Sequence, residues 1–419
     1  MVDAAPSLNT GDEVEAPAAS LRLVGIVLAA ACGLTVANLY YAQPLLALIS
    51  TSLHVSESAA TLVVTLTQIG YALGLIFVLP AGDLIENRTL VTRTLLGTAL
   101  ALLLAGLSPV FGVFLAVSVL VGLTSVVAQI LVPFAAHLAP PAQRGRFVGQ
   151  VMSGLLLGIL LARTVASLIA QVWGWRAIYL ISAGLMLVLC VVIRRVLPAR
   201  PPSHTAGYRT LLASVVALAR DEPVLRRLAL SQACMFGAFT AFWTAIAYEL
   251  INGHGLSQGE VGLFALVGAA GAAAAPVAGR FADRGWGRTA RLGALLLGTA
   301  SMVLAALGSS SLVLLAVSGV LLDFAVQGHQ VMSQQVIYAL RDDARARINT
   351  VYMGSVFIGG AVSSAVVGLL HDSSGWTGVA VFAAALPLAG AILWLTGPTT
   401  VTPRAVSPVA SASSASPTA

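Results

Sequence analysis

Charge is scarce in this chain. Only 9% of its 419 residues are Asp, Glu, Lys or Arg, against about a quarter in an ordinary soluble domain. So little charge excludes a globule whose surface faces water. Lysine is missing altogether: all 22 basic residues are arginine, which we read, with the wealth of Ala, Gly and Val, as a bias of the coding genome. There are three cysteines, Cys32, Cys190 and Cys234. They lie too far apart to hold a metal and read as buried free thiols. No paired carboxylates, His/Cys cluster or nucleotide-binding loop occurs, so nothing points to an enzyme, a metal or a cofactor. The arginines form no basic stripe interleaved with aromatics, which argues against nucleic acid as a partner. The first twenty residues lack the basic start of a cleaved signal peptide.

What the chain does have is apolar length. Hydrophobic residues make up 58%, mean hydropathy is +0.93, and a membrane-crossing helix needs ~20 apolar residues. Apolar runs fall at 22–50, 58–80, 89–108, 112–138, 146–171, 176–197, 226–250, 260–281, 289–308, 311–340, 347–370 and 377–396. The expectation is an all-α integral membrane protein of twelve transmembrane helices. Segments alternate in charge: twenty arginines fall on one side, against Arg176 alone on the other, with Arg163 inside a run. By the positive-inside rule both termini are cytoplasmic.

The organisation reads as a disordered tail over 1–20, six helices over 21–197, a linker over 198–224, six more over 225–397, and a Ser/Pro/Ala-rich disordered tail over 398–419. The linker offers an amphipathic stretch, Tyr208 to Arg220, suited to lie on the membrane surface. The two sets of six repeat. Arg144-Gly145-Arg146 matches Arg345-Ala346-Arg347, Met152 matches Met353, Gly158 matches Gly359, and Gly174-Trp175 matches Gly375-Trp376, always 201 residues apart. Repeated helical units of this kind mark secondary transporters, whose site lies between the halves near mid-membrane.

Two loops add detail. Gly279-Arg280-Phe281-Ala282-Asp283-Arg284-Gly285-Trp286-Gly287-Arg288 follows the eighth run, and Gly82-Asp83-Leu84-Ile85-Glu86-Asn87-Arg88 follows the second. Both begin with glycine, which lets helices approach, and continue with an acid that caps a helix or pairs an arginine. These loops resemble the G-x-L-x-D-R-x-G-R signature of the major facilitator superfamily. Ala37-Asn38-Leu39-Tyr40-Tyr41-Ala42-Gln43-Pro44-Leu45-Leu46 is similar to the bacterial drug and sugar efflux permease branch of that family. The resemblance implies two six-helix bundles in the bacterial cytoplasmic membrane, working by alternating access as a monomer, with a small molecule and protons as partners besides the lipid bilayer. Gly82, Asp83, Glu86, Arg88, Gly279, Asp283, Arg284 and Arg288 would form cytoplasmic gate loops. Two departures stand out: the fourth run, Val121-Gly122-Leu123-Thr124-Ser125, lacks the arginine common in proton-coupled exporters, and Ile159 stands where their fifth run carries proline.

Polar residues inside the runs are candidates for the transport path, because a mid-bilayer charge costs at least ~2.5–3.5 kcal/mol. Asp323, Gln327, Gln330 and Gln334 share one helix face, as do Ser118, Gly122, Ser125 and Gln129. Arg163 and Asp323 lie at depths that agree within about one helical turn, so a pair across the cavity is expected. Asn38, Tyr40, Tyr41, Gln43, Gln68, Tyr71 and Gln232 add amides and rings, and Phe236, Phe239 and Trp243 an aromatic wall. Proton-coupled efflux of a drug-like compound or metabolite is the expected function. Uptake of a sugar, organic acid or nucleoside, and a transporter-fold sensor, are the alternatives.

Overall fold

A computed structural model describes residues 18–140, 143–198, 207–284, 286–341 and 344–396. The side chains of Asp83 and Asp283, and both tail expectations apart from the first residues of α1, lie outside the described residues. Every regular element among the described residues is helical. In order, they are α1 (Ala18–Ala37), α2 (Leu46–Leu53), α3 (Glu57–Phe77), α4 (Asn87–Leu107), α5 (Phe111–Thr124), α6 (Val127–Leu138), α7 (Arg144–Trp173) and α8 (Arg176–Val196). There follow α9 (Tyr208–Asp221), α10 (Pro223–Tyr248), α11 (Gln258–Phe264), α12 (Ala274–Asp283), α13 (Gly287–Leu307), α14 (Leu312–Tyr338) and α15 (Arg345–Leu395).

Helices suit this sequence because hydrocarbon offers no partners to backbone amides, and a helix satisfies its own. Hydroxyls in the runs follow the same logic. Thr67, Thr98, Ser118 and Ser125 each donate to the carbonyl four residues earlier, at 2.7–2.9 Å. Large apolar side chains such as Leu100, Leu107, Val172, Val188, Val362 and Leu369 stay exposed, as a lipid-facing surface requires.

Among the described residues, nine helical stretches are long and apolar enough to cross a membrane by length and composition. Three departures from the expected runs account for the difference from twelve. The first run breaks after Ala37 into α1 and α2, with Gln43–Leu45 a short 3-10 turn entered at Pro44. The eighth divides into α11, a 3-10 stretch over Ala265–Ala273, and α12. The last two are two helices that meet at Gly375, whose φ 59 and ψ −156 are not helical, and they count as the single stretch α15.

The 201-residue repeat reappears in the packing. Gly158 of α7 lies against the backbone of Gly33 in α1, and Gly359 of α15 against that of Ala233 in α10, where an added Cβ would come within 2.6 Å of the Ala233 carbonyl. Small residues at these positions let the helix axes close up. Gly174 and Gly375 both take positive φ, 80 and 59, which an L side chain resists. Each is followed by a buried tryptophan. In α9, Leu211, Val215 and Leu218 are buried, and Val216 is exposed.

Helix α10 is buried along nearly its whole length. The N- and C-terminal parts of the chain meet along α3 and α15, where the Tyr71 and Phe357 rings lie 4.3 Å apart and Ser364 donates to the Thr61 carbonyl at 3.2 Å. They meet again where Gln258, at the head of α11, donates to Pro44 O at 2.8 Å and to Ser167 Oγ at 3.1 Å. The Ser364 and Gln258 contacts lie toward the end poor in arginine.

Candidate functional site

Arg163 comes from the middle of α7 and is 2% exposed. Its Nε donates to Gln43 Oε1 at 2.8 Å, a side chain that the break after α1 turns inward. Three rings flank the guanidinium: Trp243 at 4.4 Å, Tyr40 at 4.9 Å and Phe239 at 5.1 Å. Desolvated cation–π contacts are worth ~2 kcal/mol or more each, so the aromatic cage offsets part of the cost of burying the charge. Asp323 of α14 is 6% exposed, and its Oδ1 accepts from Trp243 Nε1 at 2.9 Å.

The direct Arg163–Asp323 pair expected from depth is not made. Among the described residues no ion pair within 4.0 Å joins them; the Trp243 indole stands between, its face toward the cation and its edge toward the anion. Depth along two helices fixes height but not lateral separation, and α10 fills the gap.

The rest of the expected stripe is dispersed. Gln327, Gln330 and Gln334 are half-buried; the last reaches Met353 Sδ at 4.0 Å. Gln129 accepts from Asn349 Nδ2 at 3.2 Å, linking α6 to α15. Asn38 and Tyr41 belong elsewhere: Ser182 Oγ donates to Asn38 Oδ1 at 2.8 Å and lies 3.3 Å from Tyr41 Oη. They tie the first run to α8.

Of the gate-loop residues, Glu86 accepts from Thr89 Oγ1 at 2.6 Å and lies 3.6 Å from Arg88, a local arrangement at the start of α4. Arg288 lies over the Trp394 ring at 4.9 Å, and Arg284 is exposed. A Cβ at Gly279 would meet nothing within 4 Å, and at Gly82 only Leu90 at 3.5 Å. The idea that these glycines allow close helix approach is therefore corrected. Close-approach glycines lie instead within the helices, among them Gly122, Gly154, Gly158 and Gly359, and, at the site, Gly268 and Gly271. An added Cβ at Gly268 would lie 2.6 Å from Asp323 Oδ2, and at Gly271 2.8 Å from Asp323 Cβ. The Ala/Gly-rich stretch 265–273 was the signal for these.

A separate cavity of about 490 Å³ lies among α12, α13 and α14, lined by apolar side chains including Phe281, Trp286, Leu297, Phe324 and Met332. It contains none of the polar site residues.

The profile of the Major Facilitator Superfamily matches residues 27–225 and 228–417. The chain belongs to this superfamily. It is 40% identical over 373 residues to the uncharacterized transporter YgaY of Escherichia coli O157:H7, covering 89% of this chain and 95% of that protein. Among solved structures, that of the nucleoside transporter NupG superposes with a TM-score of 0.72 at 13% identity, covering 89% of this chain and 99% of that one. A bacterial homologue of the human lysosomal transporter Spinster, inward-facing and occupied, gives 0.69 at 14% identity, covering 89% and 96%. As a member of the Major Facilitator Superfamily, the chain is a multi-pass membrane transporter of a small molecule.

Proposed function

We propose that this transporter is a proton-coupled exporter of a small organic solute, built as two six-helix bundles of twelve spans in the bacterial inner membrane, with both termini cytoplasmic. The carrying observation is the buried Arg163–Trp243–Asp323 cluster, in which one indole touches the only cation and the only anion that the sequence places deep in the runs. Buried ionisable groups are costly and mark coupling paths. Because the cluster draws one residue from each of α7, α10 and α14, relative motion of the bundles rearranges it. In this reading Asp323 carries the proton, and Trp243 reports its state to Arg163. The twenty-to-one arginine asymmetry supports the orientation. The loops 82–88 and 279–288 act on the cytoplasmic side, so Asp283→Asn should slow turnover while leaving affinity nearly intact.

The experiment is accumulation in cells with and without the protein, across cationic dyes, amphenicol-like drugs and sugars, followed by proteoliposome transport at two pH values. Export lowers accumulation, and collapsing the proton gradient restores it. Proton-driven uptake, the competing direction, gives the opposite sign. If Asp323→Asn still concentrates solute with unchanged pH dependence, Asp323 is not the coupling group.

A further inference from the structure

Two hydrogen-bond donors meet at Arg163 with no protein acceptor. The guanidinium Nη2 and the amide Nε2 of Gln43 are both buried and make no hydrogen bond within the protein, although the two side chains are joined at Arg163 Nε and Gln43 Oε1. Buried donors left unpaired cost ~1–3 kcal/mol each, and more when charged. Tyr40, Phe239 and Trp243 lie over the guanidinium at 4.4–5.1 Å. A partner therefore approaches the edge of the guanidinium, where carboxylates bind it. From this end the rings continue in a chain of contacts: Trp243 to Phe239 at 6.4 Å, Phe239 to Phe236 at 5.3 Å, Phe236 to Phe357 at 5.1 Å and Phe357 to Tyr71 at 4.3 Å. The site thus has a cationic, donor-rich head and an aromatic wall leading from it. Gln43 and Arg163 come from the N-terminal part of the chain and the wall largely from α10 and α15, so separation of the two parts bares both.

We infer that the solute is an organic monocarboxylate with a flat apolar body, its carboxylate held by Arg163 Nη2 and Gln43 Nε2 and its body along Phe239, Phe236 and Phe357. This rests on the transporter reading above and names its substrate class. Asp323, held on the far edge of the Trp243 ring, supplies a second negative charge, so a bound carboxylate and an ionised Asp323 oppose one another. That favours a single carboxylate over a dianion.

The test is titration of the purified full-length protein in lipid nanodiscs, read by intrinsic tryptophan fluorescence, with benzoate, benzamide and benzylamine as probes of one shape and three charges. Benzoate should saturate, with benzamide and benzylamine at least about tenfold weaker, the loss expected for a charge-assisted hydrogen bond. Arg163→Gln tests the head directly but risks misfolding. Gln43→Glu is the second variant, because it places a carboxylate beside Arg163 and keeps the cation satisfied. It should elute as a monodisperse species and lose benzoate binding at least about tenfold. Asp323→Asn should bind benzoate more tightly than the wild type. Benzamide or benzylamine binding as well as benzoate, no saturable response to benzoate, or full benzoate affinity in Gln43→Glu overturns the assignment. If benzoate fails while gradient-driven movement of a cationic dye persists, the substrate class falls and the transport reading stands. If gradient-driven movement of every solute in the panel also fails, both fall.

Discussion

Trp243 donates from Nε1 to Asp323 Oδ1 at 2.9 Å while its ring lies 4.4 Å from the Arg163 guanidinium. One side chain therefore solvates both buried charges, by its edge and by its face. Trp243→Phe keeps a face for Arg163 and removes the donor to Asp323. Yield should stay near that of the wild type and transport should fall by roughly tenfold, the size of one charge-assisted hydrogen bond. Trp243→Ala loses both and should cost ~3–5 kcal/mol of stability. Normal transport by the phenylalanine variant would show that the hydrogen bond has no functional part.

Arg163→Ala and Asp323→Ala should each impair yield or transport, since stranding one buried charge costs ~3–5 kcal/mol. The double variant should regain part of the lost stability but not transport. Because an indole separates the two residues, the coupling should fall toward the low end of the ~0.5–3 kcal/mol range for interacting sites. Thermal midpoints of the four proteins in one detergent decide this. Strict additivity would mean that the two charges do not sense each other.

Glycines at two places should fail in different ways. Gly268→Ala puts a methyl 2.6 Å from Asp323 Oδ2 and 3.3 Å from Trp243 Cζ2, so the carboxylate must leave the indole. Transport should drop with yield largely kept. Gly158→Ala meets the Gly33 backbone, which cannot swing aside, so yield itself should drop. Fluorescence-detected size exclusion beside a transport assay separates the two, and equal losses of yield would refute the distinction.

Toward the arginine-poor end, Glu57 of α3 joins His371 of α15 at 3.1 Å and accepts from Asn252 at 3.3 Å, with Tyr248 stacked on the histidine ring at 5.1 Å. A partly exposed pair of this kind is worth ~0.2–1 kcal/mol. Glu57→Gln should therefore shift the balance toward the state open on that side only a few-fold. The measure is labelling by an impermeant maleimide of a cysteine placed at Thr61. A slower labelling rate in Glu57→Gln would reverse the assignment of the pair as a latch.

Apolar run length made the helices legible, and the 201-residue spacing foretold matched contacts at Gly158 and Gly359. The breaks were harder to see. Asn38, Tyr40, Tyr41 and Gln43 do interrupt the run 22–50, but polarity alone does not tell a turn from a cavity lining, and it is the turn that brings Gln43 to Arg163. Asp323, Arg163 and Trp243 were legible as candidates because polar and aromatic groups in hydrocarbon need partners. Their order in space was not, because helix periodicity gives a face and a depth but no neighbour. Asn38 and Tyr41 meet Ser182, a partner with no outstanding signal of its own in the sequence.

The turn at Gly174–Trp175 constrains how the site can move. Only those two residues separate α7 from α8, and Trp175 packs 5.0 Å from the Phe114 ring and 6.0 Å from that of Tyr179. With so short a link and so firm an anchor, α7 cannot act as a piston: sliding along its own axis would drag α8 and α5 with it. Short of a motion of the whole bundle, Arg163 can be carried away from Trp243 only sideways, by a swing of α7 about that pinned end. The swing is small near the anchor and grows toward Arg144, so the cation at mid-helix moves by only a fraction of the travel at the far end.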